Sequence, residues 1–350
     1  MRSLSYLSQI FLFLCFASLL LIVSCANLGP KTLKSERSNY NVAVQRTNDE
    51  ELLLNLVRLK YRDTPFFMEV SSMASQFILS TKANASTSLQ NGVKGLFGLG
   101  GSLGVTEKPT VTYSPLQGGR FIQRVLSPLP LDTITLLFNS GWNIERIFRL
   151  CFRRMNTLKN APGASGPTPS RSPYFIEFIS AVKYLRLLQI EDAINLSYQE
   201  ENGVPQLILN INDADKNRAE ARQFALAANV EPGKTRYVLA FSADSNKTNH
   251  IRVVTRSLLG IMFYISQAVE VPSKDISKGK VTQTQTPDGK IFDWDKVMGD
   301  LLKIRSASEK PQEYPMTIFY RGSWFYINDS DLSSKSTFSL LSQIFSLQAG

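Results

Sequence analysis

The pattern of hydrophobic and polar positions separates an apolar leader from a long region of mixed helical and strand patterns. Ile10 to Val23 is an apolar run that Ser18 alone interrupts. Its 14 residues suit the core of a signal peptide and fall short of the roughly 20 that a helix needs to cross a bilayer. The length therefore favours a cleaved leader over residues 1–24, with an uncleaved membrane anchor as the alternative.

A polar segment follows the leader and gives way to an amphipathic helix. Residues 25–45 are rich in Ser and Lys and predict a flexible tether. Thr47 and Glu50 have the spacing of a capping box, in which each side chain satisfies a free backbone amide at the start of a helix. Leucines at helical spacing come next, and we expect this helix to end before Pro65.

A long β-hairpin is predicted over residues 66–115. Phe66 to Leu79 is rich in aromatic and aliphatic residues, and residues 103–113 alternate between apolar and polar types with period two. Asn91 to Gly104 is rich in glycine and predicts the tip that joins the two arms. Arms of this length are unusual for a hairpin of a globular domain.

The remaining patterns do not repeat the strand–helix–strand order of a parallel sheet. Helices are predicted at 119–126, 132–139, 143–157, 175–185, 218–228, 251–269 and the C-terminus, and strands at 193–199, 206–211, 236–242, 302–307, 316–320 and 323–327. This order predicts an α+β fold of antiparallel strands with packed helices. Four prolines and two glycines in 161–173 predict a linker or loop between a region at 46–160 and another at 174–350.

The residues that end the leader carry the clearest chemistry. Ile22-Val23-Ser24-Cys25 resembles the bacterial lipobox, with Ile22 where leucine is commoner. The resemblance implies cleavage between Ser24 and Cys25 and acylation of Cys25 by several chains, such as palmitate. Several chains give stable membrane anchoring, whereas one is marginal. Ala26 in place of Asp follows the pattern of lipoproteins of the outer membrane. We therefore expect a lipoprotein of the bacterial cell envelope.

The net charge of the chain limits the classes of partner that it can bind. The chain has a net charge of +10, and loss of the leader with Arg2 leaves about +9. Its Lys and Arg residues are scattered, so we expect no nucleic-acid partner and treat an acidic envelope polymer as an alternative.

Cys15 leaves with the leader and Cys25 is acylated, so Cys151 has no partner for a disulfide. Its position on an apolar helical stripe predicts a buried thiol.

The catalytic candidates are few. His250 is the single histidine, so we expect no zinc site, no other metal and no cofactor, and we interpret it as a surface or capping residue before a helix. Gly100 to Gly104 matches the G-x-S-x-G pattern, which makes Ser102 the candidate nucleophile of a hydrolase. That motif needs a strand before the serine and a helix after it, and a second strand follows here.

The hairpin is the most suggestive feature, and it admits two interpretations. In one, Leu96, Phe97 and Leu99 form an apolar tip, and hairpins from several copies pair in a ring that can enter a membrane. In the other, the hairpin packs on its own domain like an ordinary pair of strands. The polar residues of the first arm, such as Lys82 and Asn84, favour the second interpretation.

Several segments resemble a group of uncharacterised proteobacterial lipoproteins. They are Asn48 to Leu59 with Tyr61, Pro109 to Gly118, Ser140 to Trp142, and Asp331 to Gly350. The resemblance implies the envelope and no particular activity. We therefore predict a lipid-anchored, non-enzymatic scaffold or assembly protein that forms a homo-oligomer or joins an envelope complex. The alternatives are an envelope hydrolase at Ser102 and a binder of an acidic polymer.

Overall fold

The computed structural model describes residues 28–87, 97–167, 169, 171–242, 244, 247–312 and 316–349. They form two compact units, each built from separate stretches of the chain. Among these described residues, unit 1 comprises those within 28–61, 171–172 and 265–342, and unit 2 comprises those within 62–169, 173–264 and 343–349. The units therefore interleave along the sequence, and one switch between them lies inside the predicted linker 161–173, where residues 171–172 belong to unit 1 and the stretches on either side belong to unit 2. Helices with antiparallel and mixed sheets confirm the α+β class.

Unit 2 contains the long hairpin and a mixed sheet covered by helices. Its strands are β1 (Met68–Thr87), β2 (Phe97–Pro115), β3 (Phe152–Met155), β4 (Leu158–Lys159), β5 (Ile194–Glu201), β6 (Val204–Ile211), β7 (Arg236–Ala240) and β8 (His250–Thr255). Its helices are α2 (Gly119–Leu126), α3 (Leu131–Asn139), α4 (Ile144–Cys151), α5 (Ile176–Ile190), α6 (Ala219–Ala227) and α7 (Leu258–Ile265), the last of which ends at the boundary with unit 1. Strands run in the order β4-β3-β8-β7-β6-β5, and the pair β7–β8 is parallel, unlike the predicted antiparallel arrangement.

Two of the predicted helices are wrong in part because apolar runs also suit buried strands. The predicted helix 251–269 begins instead with β8, in which Ile251, Val253 and Thr255 are buried. Its β-branched residues favour a strand, and α7 starts only at Leu258. The predicted helix 143–157 likewise ends at Cys151, where the chain turns into β3.

Unit 1 combines helices with a small antiparallel sheet. Its helices are α1 (Leu28–Lys60), α8 (Ser273–Ser277), α9 (Asp295–Met298) and most of α10 (Leu332–Ala349), and its strands are β9 (Arg305–Ala307), β10 (Thr317–Tyr320) and β11 (Ser323–Tyr326). The sheet has the order β10-β11-β9. Helix α1 starts well before Thr47, so residues 28–45 are helical where the sequence predicts a flexible tether. Leucines of its C-terminal half are buried.

A buried arginine organises the centre of unit 2. The guanidinium of Arg256 donates to the carbonyl oxygens of Arg149, Leu150 and Phe152 at 2.9, 3.1 and 2.8 Å, and also to that of Asn160. It therefore caps the C-terminal end of α4, where backbone carbonyls lack helical partners and a positive charge is favoured. Burial lowers the pKa of Arg256 to about 10, which leaves it charged at neutral pH.

Candidate assembly hairpin

The β1–β2 hairpin is the most extended feature of unit 2. Its ladder runs from the pair Met68↔Pro115 to the pair Thr87↔Phe97. Twenty residues of β1 at about 3.3 Å each give a ribbon of roughly 65 Å. In the described part of the chain, β1 and β2 pair with each other and with no other strand, so both outer edges are without a strand partner.

Aromatic packing anchors the base of the hairpin. Phe67, directly before β1, is buried. Its ring lies 5.9 Å from that of Phe121 in α2 and 5.1 Å from that of Phe345 in α10. Its carbonyl accepts a hydrogen bond of 2.9 Å from the amide of Leu116, which closes the ladder at the base. The hairpin therefore starts from a fixed position on unit 2.

Beyond this base, the side chains that the structure describes face solvent, except that of Val70, which is half-buried. Met68, Val111 and Tyr113 are 41%, 38% and 50% exposed, and Thr106, Lys108 and Thr110 are exposed as well. Large apolar side chains are expensive to leave in water. At these positions the hairpin does not pack on its own domain, so the interpretation as an ordinary packed hairpin fails there.

The register gives the ribbon two chemically different faces. Residues directly opposite each other in an antiparallel pair lie on the same face, and alternate pairs share it. One face, which we call the apolar face, receives mostly apolar residues and one charge. Its pairs are Met68↔Pro115, Val70↔Tyr113, Met73↔Val111, Ser75↔Pro109, Phe77↔Glu107, Leu79↔Val105, Thr81↔Leu103, Ala83↔Gly101, Ala85↔Leu99 and Thr87↔Phe97. The opposite face, the polar face, is dominated by Ser, Thr, Gln, Asn, Lys and Gly.

A β-bulge keeps the two faces continuous along the ribbon. The register shifts between Val70 and Ser72, where Ser71 is the extra residue of β1. Val70 and Met73 are three positions apart, a spacing that would place them on opposite faces of a regular strand. The bulge absorbs one residue, so both fall on the apolar face.

The distal half of the hairpin is almost free of charge. It comprises residues 79–87 of β1 and 97–105 of β2, and Lys82 on the polar face is its single charged residue. Each strand contributes nine residues, close to the 9–11 with which a tilted strand crosses a hydrocarbon core. Pro109 lies outside this half, so every residue of its strands carries an N–H donor.

The structure relocates part of the predicted tip. Strand β2 begins at Phe97, so Phe97 and Leu99 belong to the ladder, opposite Thr87 and Ala85. Residues 97–104 of the predicted loop are therefore strand, and residues 91–96 lie outside the described residues. Leu96, Ser24 and Cys25 lie outside the described residues, so the lipidation and cleavage predictions for Cys25 and Ser24 stay predictions.

The candidate nucleophile Ser102 and the single histidine, His250, occupy ordinary strand positions. Ser102 lies within β2, opposite Lys82, and the strand continues to Pro115. The strand-to-helix turn of a nucleophile elbow is therefore not present at Ser102. His250 opens β8 and does not precede a helix as predicted. Desolvation and the nearby Lys247 lower its pKa.

Cys151 ends α4 and is fully buried. Burial raises the pKa of its thiol to about 12, which suits a packing role and disfavours a nucleophile. Among the residues that the structure describes, no group of three or more His, Cys, Asp or Glu side chains is placed to hold a metal ion.

Sequence reasoning missed two features of this site and its surroundings. The bulge at Ser71 needs the pairing register, although the three-residue spacing from Val70 to Met73 could have signalled it. Arg256 donates hydrogen bonds to carbonyls more than 100 positions earlier in the chain. The sequence feature that could have indicated this role is a single Arg within an apolar run.

Comparisons with known proteins bring no relative. No family model matches the chain, and neither the curated proteins nor the solved structures contain a match. Within the described residues, no helix combines the length and the apolar character that crossing a bilayer requires.

Proposed function

We propose that this protein is a lipid-anchored component of the bacterial envelope with a non-enzymatic assembly role. Its copies join through the β1–β2 hairpin. A single observation carries the proposal. In the part of the chain that the structure describes, the β1–β2 ribbon exposes most of its side chains, and neither of its two long edges pairs with another strand. Long exposed edges of this kind are templates for pairing with another strand.

A second copy of the chain is the partner that fits both edges. When β1 of one copy pairs with β2 of the next, every neighbouring pair stays antiparallel and equal in length. The same contact repeats from copy to copy, and such a head-to-tail contact forms a ring when the rotation closes. Each ribbon contributes one apolar and one polar face, so the ring has an apolar outside and a polar inside, or the reverse.

The distal half of the hairpin suits contact with lipid. Strands can enter a hydrocarbon core when all backbone amides are paired, which a closed ring of hairpins provides. Residues 79–87 and 97–105 contribute nine positions per strand, with no charge on the apolar face. Acyl chains on Cys25 would hold the protein at the membrane surface, where insertion starts.

Crosslinking between two differently tagged copies tests the edge pairing. One copy carries Ala74→Cys in β1 and the other Thr110→Cys in β2, both at exposed positions. Each chain has one introduced thiol, and Cys151 is buried with its pKa near 12. Mild oxidation to a disulfide, which requires the two Cβ atoms to lie about 4 Å apart as on adjacent strands, should therefore join only different copies.

The proposal expects the mixed pair to crosslink several-fold more than two copies that both carry Ala74→Cys. That matched control reports random collision, because β1 does not meet β1 in a head-to-tail ring. Equal yields in the mixed and matched pairs would contradict pairing of β1 with β2.

A further inference from the structure

Unit 1 contains a cavity of about 290 Å³ beside the C-terminal end of α1. Its walls come from residues 267–271, 276, 281–284, 291–292, 294–295 and 303–305, and Lys60 lines it from α1. The backbone of this region is tied by hydrogen bonds from Glu270 to Ile304 at 2.8 Å and from Phe292 to Thr284 at 2.8 Å. The volume lies near the lower end of the range for small-molecule sites.

The charges that line the cavity leave one cation unmatched. Arg305 lies 3.7 Å from Glu270, and Lys303 lies 3.8 Å from Asp295. Lys60 has no carboxylate within ion-pair distance among the described residues. Its ammonium donates to the side-chain oxygen of Gln267 at 2.9 Å, which is a neutral partner. The wall therefore carries one positive charge in excess.

This unmatched ammonium is poorly solvated. Burial of Lys60 lowers its pKa to about 8, because desolvation disfavours the charged form. An anion placed in the cavity would favour the charged form again. Lys60 is half-buried, and a cation that is partly removed from water without a counter-ion is otherwise costly to keep.

A second polar group in the same wall is independent of Lys60. The hydroxyl oxygen of Thr282 is buried and has no hydrogen-bond partner in the described structure. Buried hydroxyls nearly always have a partner. A ligand with an acceptor oxygen would supply the missing hydrogen bond.

The rest of the wall is largely apolar. Val271, Ile276, Phe292, Trp294 and Ile304 line the cavity, and the indole N–H of Trp294 is engaged by Thr284 at 3.0 Å. We propose that this cavity binds a small organic acid with one negative charge. Its carboxylate accepts hydrogen bonds from Lys60 and Thr282, and its apolar body lies against Phe292 and Ile304. This site is independent of the hairpin.

Protection of Lys60 from chemical modification tests the site in the intact protein. The probe is 3-phenylpropionate, and the neutral isostere 3-phenylpropionamide is its control. Reductive methylation at pH 8, read for each lysine by mass spectrometry, should modify Lys60 at least about fivefold more slowly with the acid. The amide should leave the rate unchanged, and the exposed Lys183 should respond to neither compound.

Calorimetry with variants provides the second readout. Lys60→Met should weaken binding of 3-phenylpropionate at least about tenfold, the factor for losing a hydrogen bond to a charged group. Thr282→Val, which is close in shape, should weaken it several-fold, and Lys183→Met should not change it. Equal protection by acid and amide, or no binding of the acid to the natural chain, would overturn the proposal. If Lys60→Met fails to fold, Thr282→Val and the protection experiment decide.

Discussion

The side-chain hydroxyl of Ser71 donates a hydrogen bond of 3.1 Å to the backbone carbonyl of Thr112. The bond spans the bulge at which β1 and β2 change register. Because the bulge absorbs one residue, the apolar face remains continuous from Met68 at the base to Phe97 at the far end. Continuity of this face, and not the bulge itself, is what the assembly role requires.

Two single-residue deletions distinguish the effect of the bulge from the effect of a continuous apolar face. Removing Ser71 leaves a regular strand in which Val70 and Met73 still share the apolar face. Removing Thr81 shifts one side of the strand by one position, so that either Phe77 and Leu79 or Ala83 and Ala85 change face. We expect the Ser71 deletion to assemble and the Thr81 deletion to remain monomeric, as measured by light scattering in detergent. Assembly by both variants would show that the faces do not matter.

Arg256 should be among the most sensitive positions of unit 2. Arg256→Met leaves the buried carbonyl of Leu150 without its side-chain donor and removes one of the two side-chain donors to the carbonyls of Arg149 and Phe152, the other being the amide of Asn160. We therefore expect a loss of about 3–5 kcal/mol in the free energy of unfolding. Urea denaturation followed by circular dichroism measures it. The exposed Arg222→Met is the matched control and should change stability by less than about 0.5 kcal/mol. A similar small effect for Arg256→Met would contradict the capping role.

Asp275 should make unit 1 sensitive to acid. Its buried carboxylate accepts hydrogen bonds from Lys280 at 2.7 Å and Tyr61 at 2.8 Å. The bond from Lys280, opposed by desolvation and assisted by Tyr61, holds the pKa of Asp275 below its usual value. A lowered folded pKa stabilises the fold above the unfolded value of about 3.9, and this stability is lost as pH falls through the folded pKa.

The corresponding variant gives the test. Asp275→Asn should be less stable than the natural chain at pH 7, and the difference should shrink below about pH 4. Unfolding midpoints measured from pH 7 to pH 3 provide the comparison. Asp213→Asn, at a side chain 82% exposed, should follow the natural chain at every pH. A difference in stability between Asp275→Asn and the natural chain that does not depend on pH would contradict a lowered pKa for Asp275.

The prediction of a lipid anchor at Cys25 comes from the sequence and can be tested separately. Cys25→Ser removes the thiol that carries the acyl chains, so palmitate labelling and retention in the membrane fraction should both be lost. Cys151→Ser is the matched control and should keep both. Labelling that persists in Cys25→Ser would place the acyl chains elsewhere.

The sequence predicted the features that local pattern controls. Period-two alternation in residues 103–113 gave the hairpin, since alternation is specific to strands. Helices α2, α3, α5 and α6 lie close to their predicted bounds. The predicted helix over β8 is wrong because Ile251, Val253 and Val254 are apolar and fit a buried helix or strand equally well.

Other features depend on contacts between distant parts of the chain. The length of α1 was not predicted because its first half is polar and has no apolar stripe. Which residues lie on the apolar face of the hairpin depends on the pairing register of β1 and β2, because a shift of one residue moves a strand's side chains to the opposite face. The Lys60 cavity joins α1 to residues more than 200 positions later, a distance that local patterns do not bridge.

The mass of the detergent-extracted, lipidated protein tests the central proposal most directly. The full chain is compared by light scattering with a variant lacking residues 84–104, in which residues 80–83 can close a shorter hairpin. The assembly role predicts a defined oligomer for the full chain and a folded monomer for the shortened one, because the distal edges are gone. A monomer in both cases, or the same oligomer in both, would contradict it.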